Sequence, residues 1–192
     1  DLTFTRASSA TRVNSEGLIE EASVLGSEQV TNGDFATDSD WTKSSNTTIS
    51  GGQATFAAIA ASQYLIQTNL WSANALSGQK VLLTYTVVSN TLNAGNFKVG
   101  GYTGASAFNI NNLNSTVGTH NIFLDVRTSA GNDNAIDFSI TATSGSLSID
   151  NVSVKEVITS NIPRIDYSNG CGSLLLEPQR TNLVNYSESF DN

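Results

Sequence analysis

The stretch Leu147-Ser148-Ile149-Asp150-Asn151-Val152-Ser153-Val154-Lys155-Glu156 places the strongest constraint on the fold. Leu147 and Ile149 alternate with polar neighbours, as do Val152 and Val154, but the phase slips by one residue at Asp150-Asn151. Period-two alternation is the mark of a half-buried strand, and a one-residue slip is the mark of a bulge or tight bend. Such a strand needs a sheet to join, so the chain around it must be rich in β-structure. The spacing predicts that it closes a sandwich whose first strand is Val30-Thr31-Asn32-Gly33-Asp34-Phe35, followed by Trp41.

The segments between these two stretches support that reading. Val81, Leu83, Tyr85 and Val87 alternate after Ser77-Gly78, and Phe97 and Val99 before Gly100-Gly101. Ile122, Leu124 and Val126 alternate before Ser129-Ala130-Gly131, and Ile136, Phe138, Ile140 and Ala142 before Ser144-Gly145. Short alternating runs punctuated by Gly, Asn and Ser predict an antiparallel sandwich. Residues 53–70 begin Ala-rich, which favours helix, but Tyr64-Leu65-Ile66-Gln67 favours strand, and we read the whole as β. Trp41, Tyr85 and Phe138 are assigned to the core.

Composition excludes several function classes. The chain has 192 residues, 14% of them charged, with a net charge of -8. Lacking any basic run, it does not suit a phosphate backbone or an anionic membrane. No apolar stretch is long enough to cross a bilayer as a helix. A single cysteine, Cys171, rules out an intrachain disulfide framework, and with one histidine, His120, there is no Cys/His zinc cluster. Catalysis is not expected: no G-x-S-x-G elbow occurs, and Cys171 lies between two glycines with no basic neighbour to lower its pKa. The chain contains no Met, and we expect it to be a piece of a longer protein.

The two ends carry the most specific motifs. Phe4-Thr5-Arg6-Ala7-Ser8-Ser9-Ala10-Thr11-Arg12-Val13-Asn14 leads through Gly17 to Ile19, and the far end has Pro163-Arg164-Ile165-Asp166-Tyr167 followed by Leu174-Leu175-Leu176-Glu177-Pro178-Gln179-Arg180-Thr181-Asn182-Leu183. Together they resemble a recurrent segment of tailed-phage and prophage structural proteins, in which the two halves run almost contiguously. The resemblance implies that a sandwich has been inserted into a loop of that segment, as is tolerated where a domain's termini lie close together. We therefore divide the chain into residues 1–24, an inserted domain over 25–157, and residues 158–192, the last including the start of a further module. Every cation of the flanks is arginine (Arg6, Arg12, Arg164, Arg180), whereas the insert carries Lys43, Lys80, Lys98, Lys155 and Arg127. That partition suits packed flanks and a wet insert.

The insert, with an opening Asn-Gly-Asp-Phe then Trp41 and a closing Ile-Asp-Asn-Val-Ser-Val, resembles carbohydrate-binding modules of the family 4/9 type, which are galactose-binding-like jelly rolls. This implies flat aromatic rings for the C–H face of a sugar and polar groups for its hydroxyls. Trp71, Tyr64, Tyr102 and Phe108 are the aromatics not assigned to a core face, and Asp125 with Arg127 occupies the face opposite Ile122, Leu124 and Val126. An exposed cross-strand pair is the plainer reading of Asp125 and Arg127. The resemblance also implies a structural calcium near Gly33, Asp34 and Asp150, although Ala36 stands where an acid is common. Asp34 as a simple turn residue is the alternative.

The expected fold is thus an all-β jelly-roll sandwich with short extended flanks. The expected function is a non-catalytic segment of a phage tail or head fibre, exposed on the virion. Its jelly roll would bind host surface carbohydrate, its neighbours would be other virion proteins, and the resemblance implies a homotrimer. A purely structural spacer of the virion, and an accessory module of a polysaccharide-degrading enzyme, are the alternatives.

Overall fold

The computed structural model describes residues 11–13, 19–58, 62–72, 75–93, 95–103, 106–128, 134–160, 162, 165–166 and 173–174. Most of the Phe4 to Ile19 and Pro163 to Leu183 tracts, with Cys171, lie outside those residues. The chain divides into two compact units, one of Asp1–Ser23 with Thr159–Asn192, the other of Val24–Ile158. In the first, β1 (Thr11–Val13) pairs antiparallel with β2 (Ile19–Glu21).

The second unit begins with β3 (Val24–Glu28), β4 (Thr42–Lys43), β5 (Thr47–Ser50), β6 (Gln53–Ala57) and β7 (Gln63–Gln67). It continues with β8 (Lys80–Asn90), β9 (Phe97–Val99), β10 (Asn111–Asn112), β11 (Gly118–Asp125), β12 (Ile136–Ile140) and β13 (Ser146–Ile158). Back in the first unit, β14 (Ile165–Asp166) pairs antiparallel with β15 (Ser173–Leu174).

Two antiparallel sheets make the second unit. One is five-stranded, in the order β10-β9-β12-β7-β4; the other is six-stranded, in the order β11-β8-β13-β6-β5 with β3 added along β13. The fold is an all-β jelly-roll sandwich, as the alternating runs predict, and residues 53–70 supply two strands rather than a helix.

The inward phase of each strand fills the space between the sheets. Leu65, Val99, Phe138 and Ile140 come from one sheet, and Phe56, Leu83, Tyr85, Leu147, Ile149 and Val154 from the other, all essentially buried. Phe97 ties the layers together, with its ring 5.8 Å from Phe138 in its own sheet and 6.1 and 5.7 Å from Phe56 and Tyr85 opposite. Rings at such offset or edge geometries add to what burial alone contributes.

Tyr85 buries its phenol as well as its ring. Its hydroxyl donates to the Asn114 carbonyl at 2.9 Å, and burial pushes its pKa from 10.0 up to about 12. The unfolded chain therefore loses this proton at lower pH than the folded one, so the proton contributes stability below pH 10 that drains away as pH rises to about 12. The urea midpoint should fall across that window, and Tyr85→Phe should flatten the fall.

The phase slip in β13 is a bulge. Its pairing with β8 shifts register between Asp150 and Ser153, and Asn151 sits at a φ of 51°. The expectation of a first strand over Val30 to Phe35 needs correction. The first strand of the sandwich is β3, and residues 30–35 form a turn in which Asn32 and Phe35 take φ values of 51° and 49°. The Asn32 side chain holds that turn, donating to the carbonyls of Thr37 and Ser39 and accepting the Thr37 N–H. The Asn32 carbonyl receives the indole N–H of Trp41, which packs on the buried ring of Phe35 at 5.5 Å. Turn and bulge meet at Gly33, whose carbonyl accepts the Val152 N–H at 2.8 Å. The opening and closing motifs are therefore two halves of one backbone junction.

Candidate functional site

Because the inward phase of the five-stranded sheet is core, its outward phase is set by register. Tyr64 of β7 stands opposite Ser139 of β12, which stands opposite Lys98 of β9, and that opposite Asn112 of β10. Ile66 and Asp137 form the neighbouring row, which continues to Thr42 at the edge strand β4. Alternation alone would leave this face in water, yet Ile66, Asp137 and Ser139 are buried.

What covers Asp137 is the loop after β9. It starts at Gly100, whose φ of 84° and close approach to the Asn109 carbonyl leave no room for a side chain. The backbone N–H groups of Tyr102 and Thr103 both donate to Asp137 Oδ2, at 2.9 and 2.8 Å, and the Ser106 hydroxyl lies 3.1 Å from Oδ1. Ser106 Oγ also accepts the Gly101 N–H at 3.0 Å. Asp137 is 1% exposed. A carboxylate so deeply buried is tolerated because several donors converge on it, and the same bonds pin the loop to the sheet.

The pinned loop lays Tyr102 on Tyr64, with ring centroids 4.6 Å apart and planes 32° apart. Tyr102 remains 43% exposed and Tyr64 half-buried. The result is an aromatic platform at the surface, fixed at one side by a strand and at the other by the Asp137 bracket. Half-buried Lys98, buried Ser139 and exposed Asn112 continue along the row from Tyr64.

Two of the four aromatics expected at the site therefore come together, and two do not. Trp71 and Phe108 are core residues, 8% and 0% exposed, packed edge to face at 6.3 Å. Phe108 is drawn inward by its isolated antiparallel bridge to Val126. Trp71 follows Leu70, whose backbone is tied to Asn134, and its own carbonyl accepts the Asn134 amide at 3.1 Å.

Asp125 and Arg127 do not share a groove floor either. Asp125 ends β11 in the other sheet and is exposed, paired with Lys80 at 2.8 Å. Beyond the strand the chain turns, and Arg127 Nη1 donates to the Ser106 carbonyl at 3.1 Å. Arg127 thus braces the far end of the Tyr102 loop, and Asp125 has no part in it. Sequence reasoning missed Asp137 and Ser106. The available signal was an acid between Ile136 and Phe138 with a Gly-Gly-Tyr turn upstream, but a strand acid in polar phase ordinarily faces water.

The residues expected to hold calcium lie at the turn-and-bulge junction. The Gly33 carbonyl is taken by Val152, Asp34 Oδ1 faces the Ala36 N–H at 3.4 Å, and both oxygens of Asp150 accept from Asn151. Among the described residues no three His, Cys, Asp or Glu side chains group as metal ligands. In the structure Asp150 serves the bulge and Asp34 the turn.

No family model and no curated protein matches the sequence. Among solved structures, the chain is similar to one described as "CBM4 structure and function", at 14% identity and a TM-score of 0.46 over 66% of this chain and 98% of that one. It is also similar to the enzymatically active domain of tailspike protein 4 of bacteriophage CBA120, at 16% identity and a TM-score of 0.45 over 67% of this chain and 21% of that one. A third is the second N-terminal cellulose-binding domain of Cellulomonas fimi β-1,4-glucanase C, at 14% identity and a TM-score of 0.42 over 64% and 89%. What this chain binds does not follow from likenesses at this level. Its fold class follows from its own strand pairing.

Proposed function

We propose that the sandwich unit is a non-catalytic carbohydrate-binding module of a phage virion appendage, a tail or head fibre. In this reading it faces outward and binds host surface glycan on the outer face of the five-stranded sheet. The observation that carries the carbohydrate part is the Tyr64–Tyr102 platform, two rings at 4.6 Å held by a loop bracketed on a buried carboxylate. A pyranose has an apolar C–H face that stacks on such rings, and it has hydroxyls that suit Asn112 and Lys98 beside them. The phage part is supported by the flanking motifs, and a homotrimer, with avidity from repeated copies, goes with it.

The test is a glycan array probed with the whole chain and with Tyr102→Ala. At least one glycan should be retained by the native chain and weakened roughly 10-fold or more by the substitution, since stacking residues dominate such sites. An array with no retained glycan, or one indifferent to Tyr102→Ala, would refute the assignment.

A spacer role is the second reading, and a specific observation favours it. On the outer face of the six-stranded sheet Phe123 is 61% exposed opposite Leu82. If that face, rather than the tyrosines, is what binds in the virion, Phe123→Ser should disrupt particle assembly while Tyr102→Ala leaves it intact.

A further inference from the structure

Lys98 gives the proposed face a chemical preference. It lies on β9 between Phe97 and Val99, both buried inward, so its side chain belongs to the outer face in the row of Tyr64, Ser139 and Asn112. The chain has 17 acidic residues against nine Lys and Arg, so free carboxylates are plentiful. Lys43 pairs with Asp38 and Lys80 with Asp125, yet the ammonium of Lys98 has no carboxylate or hydrogen-bond partner among the described residues. The acid closest to it in register, Asp137, is 1% exposed, and its oxygens are already turned to Tyr102, Thr103 and Ser106. Among the described residues, this half-buried cation is thus left without a carboxylate beside an aromatic platform, in an otherwise acidic protein.

The spacing suits one sugar ring. Tyr64 and Lys98 lie on strands separated only by β12, which places their Cα atoms about 10 Å apart at ordinary strand spacing. A pyranose stacked by its C–H face on Tyr102 projects its equatorial substituents outward from the edge of its ring. A carboxylate on the ring edge then comes within reach of the flexible Lys98 stem. Resting on the carbohydrate reading above, we infer that this face selects acidic sugars of the uronic acid class, with Lys98 as the group that recognises the carboxylate.

Calorimetric titration of the whole chain with a galacturonate oligosaccharide and with its methyl ester tests this, since esterification removes the charge at the recognised group and adds only a methyl. The acid should bind about 10-fold more tightly than the ester at low salt, as expected of a charge-assisted contact at a partly buried site, with the gap narrowing as salt rises. Lys98→Gln should close the gap by weakening the acid far more than the ester, and Lys98→Arg should retain it. Equal affinity for acid and ester, or a gap that survives Lys98→Gln, overturns the inference. A phosphorylated mannose oligosaccharide is the second arm, and preference for it over the uronate overturns the carboxylate assignment. Binding to neither probe also overturns the inference. The array then separates the two readings: tyrosine-dependent binding of neutral glycans leaves the carbohydrate module standing, and an empty array removes both.

Discussion

Gly33→Ala should destabilise the sandwich by about 3 kcal/mol, lowering its melting temperature by roughly 10 °C. A Cβ built on Gly33 falls 2.0 Å from the Val152 carbonyl oxygen and 3.1 Å from its carbon, a clash with backbone that no rotamer change relieves. To accommodate it, the turn must lift from β13 and stretch the 2.8 Å bond between Val152 N–H and the Gly33 carbonyl. That movement reaches the core, because Asn32 next door anchors the Trp41 indole, and Phe35 and Trp41 pack on each other. Gly26→Ala is the control: its Cβ would meet Glu156 Cβ at 3.4 Å and Ile158 Cδ1 at 3.6 Å, ordinary contacts in a strand. Thermal unfolding followed by circular dichroism should separate the two variants, and equal melting temperatures would show that the junction is not tight.

The second large effect is expected at Asp137. Asp137→Ala removes the acceptor of the Tyr102 and Thr103 N–H groups and the partner of Ser106 Oγ, unlatching the loop from the sheet. Hydrogen bonds to a charged group are worth about 1.5–3 kcal/mol each, but part of that returns when the freed N–H groups meet water, so a net loss of about 2 kcal/mol is expected. Glycan binding should suffer more than stability, since Tyr102 is no longer held on Tyr64 and its ordering must come from the binding energy itself. Asp137→Asn keeps one acceptor oxygen and should fall between the native chain and the alanine variant. Hydrogen exchange at Tyr102 and Thr103 supplies a direct readout: slow in the native chain, fast in Asp137→Ala. If exchange at these two amides does not change, the bracket is not what holds the loop.

These two residues also mark where the sequence is informative and where it falls short. The strands of the two central layers are legible because one face of each is dry: Val81, Leu83, Tyr85 and Val87 announce β8, and Ile136, Phe138 and Ile140 announce β12. The bulge is legible because a slip in phase at Asp150-Asn151 has no other ready meaning in a strand. The conformation of residues 30–35 is not, since a bulky Phe35 at positive φ goes against local preference and is held by burial of its ring and by the hydrogen bonds of the Asn32 turn. The burial of Trp71 and Phe108 is hidden from the sequence for a related reason. Both sit outside the named strands, where no alternation reports which way a ring points, and tertiary bridges turn them inward. Tyr64 is legible as a strand aromatic in Tyr64-Leu65-Ile66-Gln67, but its partner Tyr102 reaches it only through Asp137. Periodicity says that Asp137 points outward and is silent on the loop that then covers it.

The claim that the ligand face is the outer surface of the five-stranded sheet is tested most directly by nuclear magnetic resonance. An isotope-labelled chain would be titrated with the tightest glycan from the array, and the shifted amides mapped. The perturbed residues should cluster at Tyr64, Lys98, Tyr102, Asn112 and Ser139, leaving β8 and β11 unmoved. A cluster centred on Leu82 and Phe123 in the other sheet, with Tyr64 and Tyr102 silent, would contradict it.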